Sequence, residues 1–144
     1  MSRSARTIEP GAGTPISLPF GQPLIKVGRG DGNEQIGLLE SELRAGGGFQ
    51  MPHWHDDLDE TFYVLDGEIE YLLDGEWTRA CAGTTVFVPA GTVHAFRNRS
   101  TANARHLVIG SVDAVELVRA LGATGREDWP TVFRAYRSHV ADRV

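Results

Sequence analysis

Three histidines and one glutamate stand in two short segments of the chain, with types and spacing that suit a metal site. His53 and His55 are two residues apart, Glu60 follows the second histidine, and His94 lies further along. Residues i and i+2 of an extended strand point to one face, so His53 and His55 can converge on a single point. Neutral imidazoles and a carboxylate suit a divalent first-row transition metal, with coordination positions left for water or substrate. The alternative is a hydrogen-bonded polar patch that binds no metal.

The segments around these residues indicate how they are positioned. The polar segment 56–59 reads as a turn, and the apolar-rich run 60–65 reads as the strand that follows it. If this turn places two strands side by side, Glu60 joins the two histidines. A third strand begins at His94, after the breaker-rich segment 89–91.

Both segments also carry glycines at fixed distances from the candidate ligands. They read Gly47-x5-His53-x-His55-x4-Glu60-x6-Gly67 and Gly83-x5-Pro89-x-Gly91-x2-His94-x3-Asn98. These patterns resemble the two signature motifs of the cupin superfamily, and every fixed position is filled. The resemblance implies a small jelly-roll β-barrel and a metal held by His53, His55, Glu60 and His94. It assigns motif positions to Gly47, Gly67, Gly83, Pro89, Gly91 and Asn98, whose glycines supply positive φ at turns.

The rest of the pattern also favours an all-β fold. Strand-like runs occupy residues 23–27, 35–43, 60–65, 68–73, 77–80, 85–88, 94–98 and 105–110. Short strands with turns between them are typical of a sandwich or barrel, so we predict a single jelly-roll barrel over 23–111. Residues 1–22, rich in Gly, Pro and Ser, are predicted to form an irregular N-terminal arm. Asp66-Gly67 and Asp74-Gly75 are expected to form type I′ hairpin turns.

Residues 112–144 change to a helical pattern and are predicted to form a C-terminal extension of two α-helices. Asp113 is expected to cap the first helix, which would run to about Leu121 and stop at Gly122. The second helix would begin near Asp128. Its apolar stripe comprises Trp129, Val132, Phe133, Tyr136 and Val140. We expect this stripe to pack on the barrel or on a partner subunit. A helix-turn-helix that reads DNA is the alternative, but five arginines and five acidic residues leave no basic stripe.

Composition limits the classes of function. A chain of 144 residues is one domain, and its net charge of −5 opposes binding to nucleic acid. The sequence has no apolar run long enough to span a membrane, and its N-terminal residues lack the apolar region that would predict a secretory signal. We therefore expect a cytoplasmic protein without a membrane partner. Cys81 cannot form an intrachain disulfide and is read as a small buried residue. His106 and His139 lie outside both motifs and are read as surface residues without a role. The arm and the helical stripe suggest a homodimer.

Side chains that share strand parity with the ligands are expected to line a cavity. These are Phe49, Met51, Phe62, Val64 and Phe96. Such a wall favours a flat or hydrophobic small molecule as substrate. The alternative is that these side chains fill the core of a small barrel.

The chain further resembles the single-domain, quercetin-dioxygenase-like branch of the cupins. That resemblance implies a metal-dependent dioxygenase acting on an aromatic or enolisable substrate, with Glu60 as ligand and general base. The cofactor would be one divalent transition metal, either a redox-active Fe, Mn, Ni or Cu ion for this reaction or Zn for a Lewis-acid reaction. Two alternatives stay open. One is a zinc-type polyketide cyclase or isomerase in which the metal stabilises an enolate. The other is a protein that binds a small molecule without turning it over.

Overall fold

The computed structural model describes residues 3–141, which form eleven β-strands and two α-helices. In chain order the strands are β1 (Thr14–Pro15), β2 (Leu24–Val27), β3 (Ile36–Leu43), β4 (His53–His55), β5 (Glu60–Asp66), β6 (Glu68–Leu73), β7 (Glu76–Cys81), β8 (Thr85–Val88), β9 (His94–Arg97), β10 (Ala104–Ser111) and β11 (Ser138–Val140). The helices are α1 (Val112–Gly122) and α2 (Trp129–Ala135). In this part of the chain, no helix is long and apolar enough to cross a bilayer.

The strands form two antiparallel sheets that share one core. The six-stranded sheet has the order β1-β2-β3-β10-β5-β8, and the five-stranded sheet has the order β11-β4-β9-β6-β7. Apolar side chains of both sheets meet in the core, for example Phe62 and Val64 of β5 with Ile69 and Tyr71 of β6. Two packed antiparallel sheets of this kind make a jelly roll. The predicted all-β jelly roll with two C-terminal helices is confirmed.

Alternation along the strands decides which side chains enter the core. In β5 the buried residues Glu60, Phe62 and Val64 alternate with less buried ones, as expected for a strand with one face on the core. In β7 the same alternation turns Ala80 inward and leaves Cys81 exposed. The prediction that Cys81 is buried was therefore wrong.

The two predicted hairpins have different outcomes. Asp74 and Gly75 have φ values of 48° and 91° and join the paired strands β6 and β7, which confirms the type I′ turn. At Gly67 the chain instead passes from one sheet to the other, so the hairpin predicted at Asp66-Gly67 was wrong. Gly67 is still required, because its φ is 74° and a Cβ would lie 2.9 Å from the Cβ of Ala104.

The N-terminal arm lies on its own barrel. Most of it is irregular, but Thr14–Pro15 pairs with β2, and Ile16 is buried against Leu39 and Val115. Residues 1 and 2 lie outside the described part of the chain.

Helix α1 packs on β3 and β10, but it begins differently from the prediction. Ser111 occupies the N-cap position, and its side chain makes no capping hydrogen bond. Asp113 lies inside the first turn, where its Oδ1 accepts a hydrogen bond of 3.0 Å from the Arg29 guanidinium. Its predicted role as the cap was wrong, whereas the predicted end at Gly122 agrees with the structure.

Helix α2 is shorter than its apolar stripe indicated. It ends at Ala135, Arg137 takes a left-handed φ of 52°, and the chain then pairs with β4 as strand β11. The predicted helical stripe was therefore wrong beyond Tyr136. Val140 still packs against the aromatic cluster of the helix, but it does so from a strand. As a strand, this segment forms backbone hydrogen bonds with the edge of β4. A longer helix would leave that edge unpaired. Residues 142–144 of the predicted extension lie outside the described residues.

A buried asparagine at the end of the second motif joins the end of β3 to the loop 98–102. The Asn98 amide donates hydrogen bonds of 3.0 Å to the Leu43 carbonyl and 2.8 Å to the Ala102 carbonyl, and its oxygen accepts one of 3.0 Å from the Ser100 amide. Replacing Asn98 by Ala leaves these buried groups without partners. We expect the free energy of unfolding to fall by about 3 kcal/mol, measured by urea denaturation. As a control, the exposed Asn103→Ala should change it by less than about 0.5 kcal/mol; equal effects of the two substitutions would contradict the assignment.

Candidate metal centre and cavity

The structure brings His53, His55, Glu60 and His94 together between the two sheets. His53 and His94 are register partners on β4 and β9, and His55 follows on the same face of β4. One ring nitrogen from each histidine lies within 4.8 Å of the corresponding nitrogens of the other two. Glu60 reaches across from the opposite sheet, with Oε2 at 3.2 Å from His94 Nε2 and Oε1 at 3.4 Å from His55 Nε2. All four side chains are buried.

The far side of each imidazole ring is held by an oxygen atom. His53 Nδ1 lies 2.8 Å from the Met51 carbonyl, His94 Nδ1 lies 2.8 Å from the Thr92 carbonyl, and His55 Nδ1 lies 2.6 Å from Ser138 Oγ. A carbonyl oxygen only accepts, so the Nδ1 atoms of His53 and His94 carry the protons in these contacts. Their Nε2 lone pairs are left for the centre of the site, as in metal-binding histidines.

The donor atoms at the centre fit a metal cation. Unprotonated Nε2 atoms and a carboxylate are all acceptors, so they repel one another unless a proton or a cation lies between them. His55 Nε2 is buried and makes no hydrogen bond. A divalent ion would satisfy this atom together with the other two Nε2 atoms and Glu60.

Burial and mutual contact shift the ionisation of these groups. Burial lowers the pKa of His53 well below its usual value, and the neighbouring His94 and His55 lower it further. Burial alone would raise the pKa of Glu60, but contacts with His55 and His94 outweigh it and hold this pKa well below its usual range. Burial also opposes the charged form of His94, yet Glu60 raises the pKa of His94. A charged Glu60 and a neutral His53 are the protonation states that a metal requires.

A largely apolar cavity opens beside the candidate ligands. It measures about 750 Å³, including the part open to solvent, and His53, His55 and Glu60 form part of its wall. Of the five residues predicted to line it, Phe49, Phe62 and Phe96 do so. The other two do not line it. Val64 packs in the core between the sheets, and Met51 lines a separate surface cleft.

The helices supply a part of the wall that strand parity could not predict. Leu117 and Leu121 of α1 and Phe133 of α2 line the cavity. The Phe133 ring also meets the His53 ring edge to face, with 5.3 Å between the ring centres. The amphipathic pattern of residues 112–144 indicated that these side chains cover an apolar surface. It carried no signal that this surface belongs to the cavity beside the candidate ligands.

His106 was read as a surface residue, and that interpretation was wrong. It is completely buried on β10, its Nδ1 lies 2.7 Å from the Tyr71 hydroxyl, and its ring stacks on Phe62. Burial lowers the pKa of His106 to about 3. His106 lies on the same face of strand β10 as Ala104 and Val108. This alternation was the signal in the sequence that could have indicated its burial. His139 is partly exposed, and its Nε2 lies 3.0 Å from Asp56 Oδ2.

The buried His106 should make stability depend on pH. In the unfolded chain a histidine titrates near 6.5, whereas the pKa of His106 in the folded chain is about 3. Between these values only the unfolded state binds the proton, so stability falls as the pH falls. Between about pH 6 and pH 4, the free energy of unfolding should fall with pH in both proteins. We expect this slope to be smaller in His106→Gln than in the wild type by about 1.4 kcal/mol per pH unit. Urea denaturation across this range checks the prediction; parallel curves for the two proteins would contradict it.

Three known proteins are similar to this chain in sequence or in fold. The chain is 40% identical over 83 residues to quercetin 2,3-dioxygenase from Bacillus subtilis, a match that covers 56% of this chain and 24% of that enzyme. A sugar phosphate isomerase of the cupin superfamily from Silicibacter pomeroyi has a TM-score of 0.58 at 29% identity, covering 64% of this chain and 59% of the other. The polyketide cyclase RemF from Streptomyces resistomycificus has a TM-score of 0.59 at 25% identity, covering 65% and 66%.

These relatives differ in activity. The segments that match two curated relatives cover 42% and 24% of those proteins, so the chain spans less than half of their length. They agree on the fold, and the family model described as a cupin domain matches residues 39–110, half of the chain. This region begins within β3, ends within β10 and contains all four candidate ligands. The chain belongs to the cupin family.

Proposed function

We propose that this cupin is a metal-dependent, dioxygenase-type oxidoreductase that acts on a small aromatic or enolisable substrate. The observation that carries the proposal is the cluster of three histidines and Glu60, of which His53, His55 and Glu60 line an apolar cavity. The identity of 40% with a quercetin dioxygenase supports it. When bound, a divalent transition metal would supply Lewis acidity toward an enolate or catecholate and, if redox-active, electrons for reaction with dioxygen.

Glu60 is the residue placed to move a proton. It lines the cavity, and its pKa is held below the usual range, so the carboxylate is charged at neutral pH. It can therefore accept the proton of a substrate hydroxyl that enters the site beside the histidines. A substrate bound as its anion is the form that reacts with dioxygen in this proposal.

The cavity wall selects the class of substrate. The rings of Phe49, Phe62, Phe96 and Phe133 offer flat apolar contact to an aromatic or planar molecule. Among the described residues, no lysine or arginine lines this cavity. A phosphate group would thus find no cationic partner, which argues against the sugar phosphates named for one structural relative.

Oxygen consumption tests the proposal directly. Protein loaded separately with Fe²⁺, Mn²⁺, Ni²⁺, Cu²⁺ or Zn²⁺ is mixed with quercetin or 2,4-pentanedione in an oxygen electrode. We expect uptake of dioxygen in step with loss of substrate for at least one redox-active ion, and none after removal of the metal with a chelator. Loss of substrate at the same rate without oxygen would contradict dioxygenase chemistry.

A zinc-type polyketide cyclase is the second candidate, because the similarity to RemF covers about two thirds of both chains. In that case the zinc-loaded protein should convert an enolisable polyketide under anaerobic conditions. A non-catalytic binding protein would instead show a rise in Tm with the same ligands and no product.

A further inference from the structure

We infer that Ser138, on the C-terminal strand β11, is a positioning residue that fixes the tautomer and orientation of His55 for metal binding. Ser138 is completely buried, and its Oγ lies 2.6 Å from His55 Nδ1. The inference rests on the proposed metal site, but it does not depend on which reaction the metal supports.

The direction of the hydrogen bond follows from the second partner of Ser138. Its hydroxyl donates to the Tyr136 carbonyl at 3.0 Å. A serine hydroxyl has one proton, so toward His55 it acts as the acceptor and His55 Nδ1 carries the proton. His55 Nε2 is then unprotonated, and it is the buried atom that makes no hydrogen bond. Ser138 thus presents a lone pair of His55 to the centre of the site.

His55 differs from the other two histidines in where its support comes from. His53 and His94 are each held by a carbonyl two residues earlier in their own segment. His55 is held by a residue 83 positions away, beyond the region that matches the cupin model. The part of the chain that matches the family therefore supplies all four candidate ligands but leaves one of them dependent on the C-terminal strand.

Contacts on both sides of Ser138 hold it against the ligand segment. Strand β11 pairs with β4 so that Ser138 is the register partner of His55. Before it, the Arg137 carbonyl accepts a hydrogen bond of 2.9 Å from the Asp56 amide, and the Arg137 guanidinium pairs with Asp57. After it, His139 contacts Asp56. Residues 137–139 thus all contact residues 55–57. These contacts keep the serine hydroxyl in place.

Zinc affinity of three variants separates positioning from general packing. Ser138→Ala removes the acceptor, Ser138→Thr keeps a hydroxyl, and Ser17→Ala makes the same serine-to-alanine change at an exposed position of the N-terminal arm. We expect the Kd for Zn²⁺ to rise by about 10- to 100-fold in Ser138→Ala, to recover in Ser138→Thr to within about 3-fold of the wild type, and to stay within about 2-fold in Ser17→Ala. The absorption spectrum of the Co²⁺-loaded protein should change only in Ser138→Ala. Wild-type affinity and spectrum in a folded Ser138→Ala would overturn the inference.

A measurement on the unaltered protein covers the case in which Ser138→Ala does not fold. In ¹⁵N-histidine NMR spectra of metal-free wild-type protein, we expect His55 to carry its proton on Nδ1. A dominant Nε2 proton on His55 would overturn the inference. Failure of the wild type to bind Zn²⁺ or Co²⁺ would instead overturn the metal site itself, so the two failures are distinguishable.

Discussion

Replacing Glu60 by Gln should abolish turnover while much of the metal remains bound. The amide has almost the same shape, so the three histidines stay in place, with one ring nitrogen of each within 4.8 Å of the others. The amide cannot take a proton from the substrate at neutral pH, and it brings no negative charge to the site. Loss of a general base typically lowers kcat by about 10²- to 10⁴-fold. We expect a loss of this size in oxygen uptake, with elemental analysis showing at least half of the wild-type metal.

The cavity offers a matched control for this substitution. Glu42 also lines the cavity but lies at an exposed position, where it accepts a hydrogen bond from the Asn103 amide. Glu42→Gln applies the same chemical change away from the histidines and should leave oxygen uptake within about 2-fold of the wild type. Wild-type turnover by Glu60→Gln, with metal bound, would remove Glu60 from the proton transfer.

Much of the fold could be predicted from the sequence because most of its strands carry local signals. Each of the eight predicted runs agrees within one residue at both ends with an observed strand, from β2 to β10 apart from β4. In β4 the spacing of His53 and His55 predicts that both side chains point to one face, as observed. Turn residues such as Asp74-Gly75 act through their own φ angles, so they too can be recognised without knowledge of the fold.

The features that the sequence did not predict depend on partners distant in the chain. Asp66-Gly67 has the same residue types as Asp74-Gly75, yet it joins strands of different sheets because each flanking strand has another partner. Strand β11 follows directly on a helix and forms because the edge of β4 is available to it. The roles of Ser138 and His106 follow from these long-range pairings, so neither residue stands out in the sequence.

The joint replacement of His53 and His94 by Ala should remove the metal. These two residues are register partners, their ring centres are 4.2 Å apart, and each ring is fixed by a backbone carbonyl. His55 and Glu60 alone would offer two ligands, which is too few to retain a divalent ion through dialysis. We expect elemental analysis to show about one metal ion per chain in the wild type and less than about a tenth of this in the double variant. The Tm should also stop responding to added metal, since a ligand stabilises only the state that binds it.

A buried histidine outside the cluster provides the control for this loss. His106 is as deeply buried as the candidate ligands, but its ring is hydrogen-bonded to Tyr71 on β6. His106→Gln should therefore retain its metal, even though it also removes an imidazole from the core. Equal metal in the wild type and the His53→Ala, His94→Ala variant would mean that the ion binds elsewhere. His94 Nε2 and His55 Nε2 lie 3.2 and 3.4 Å from the Glu60 carboxylate, and these atoms repel each other when the nitrogens are unprotonated. Protons rather than a cation would then have to lie between them.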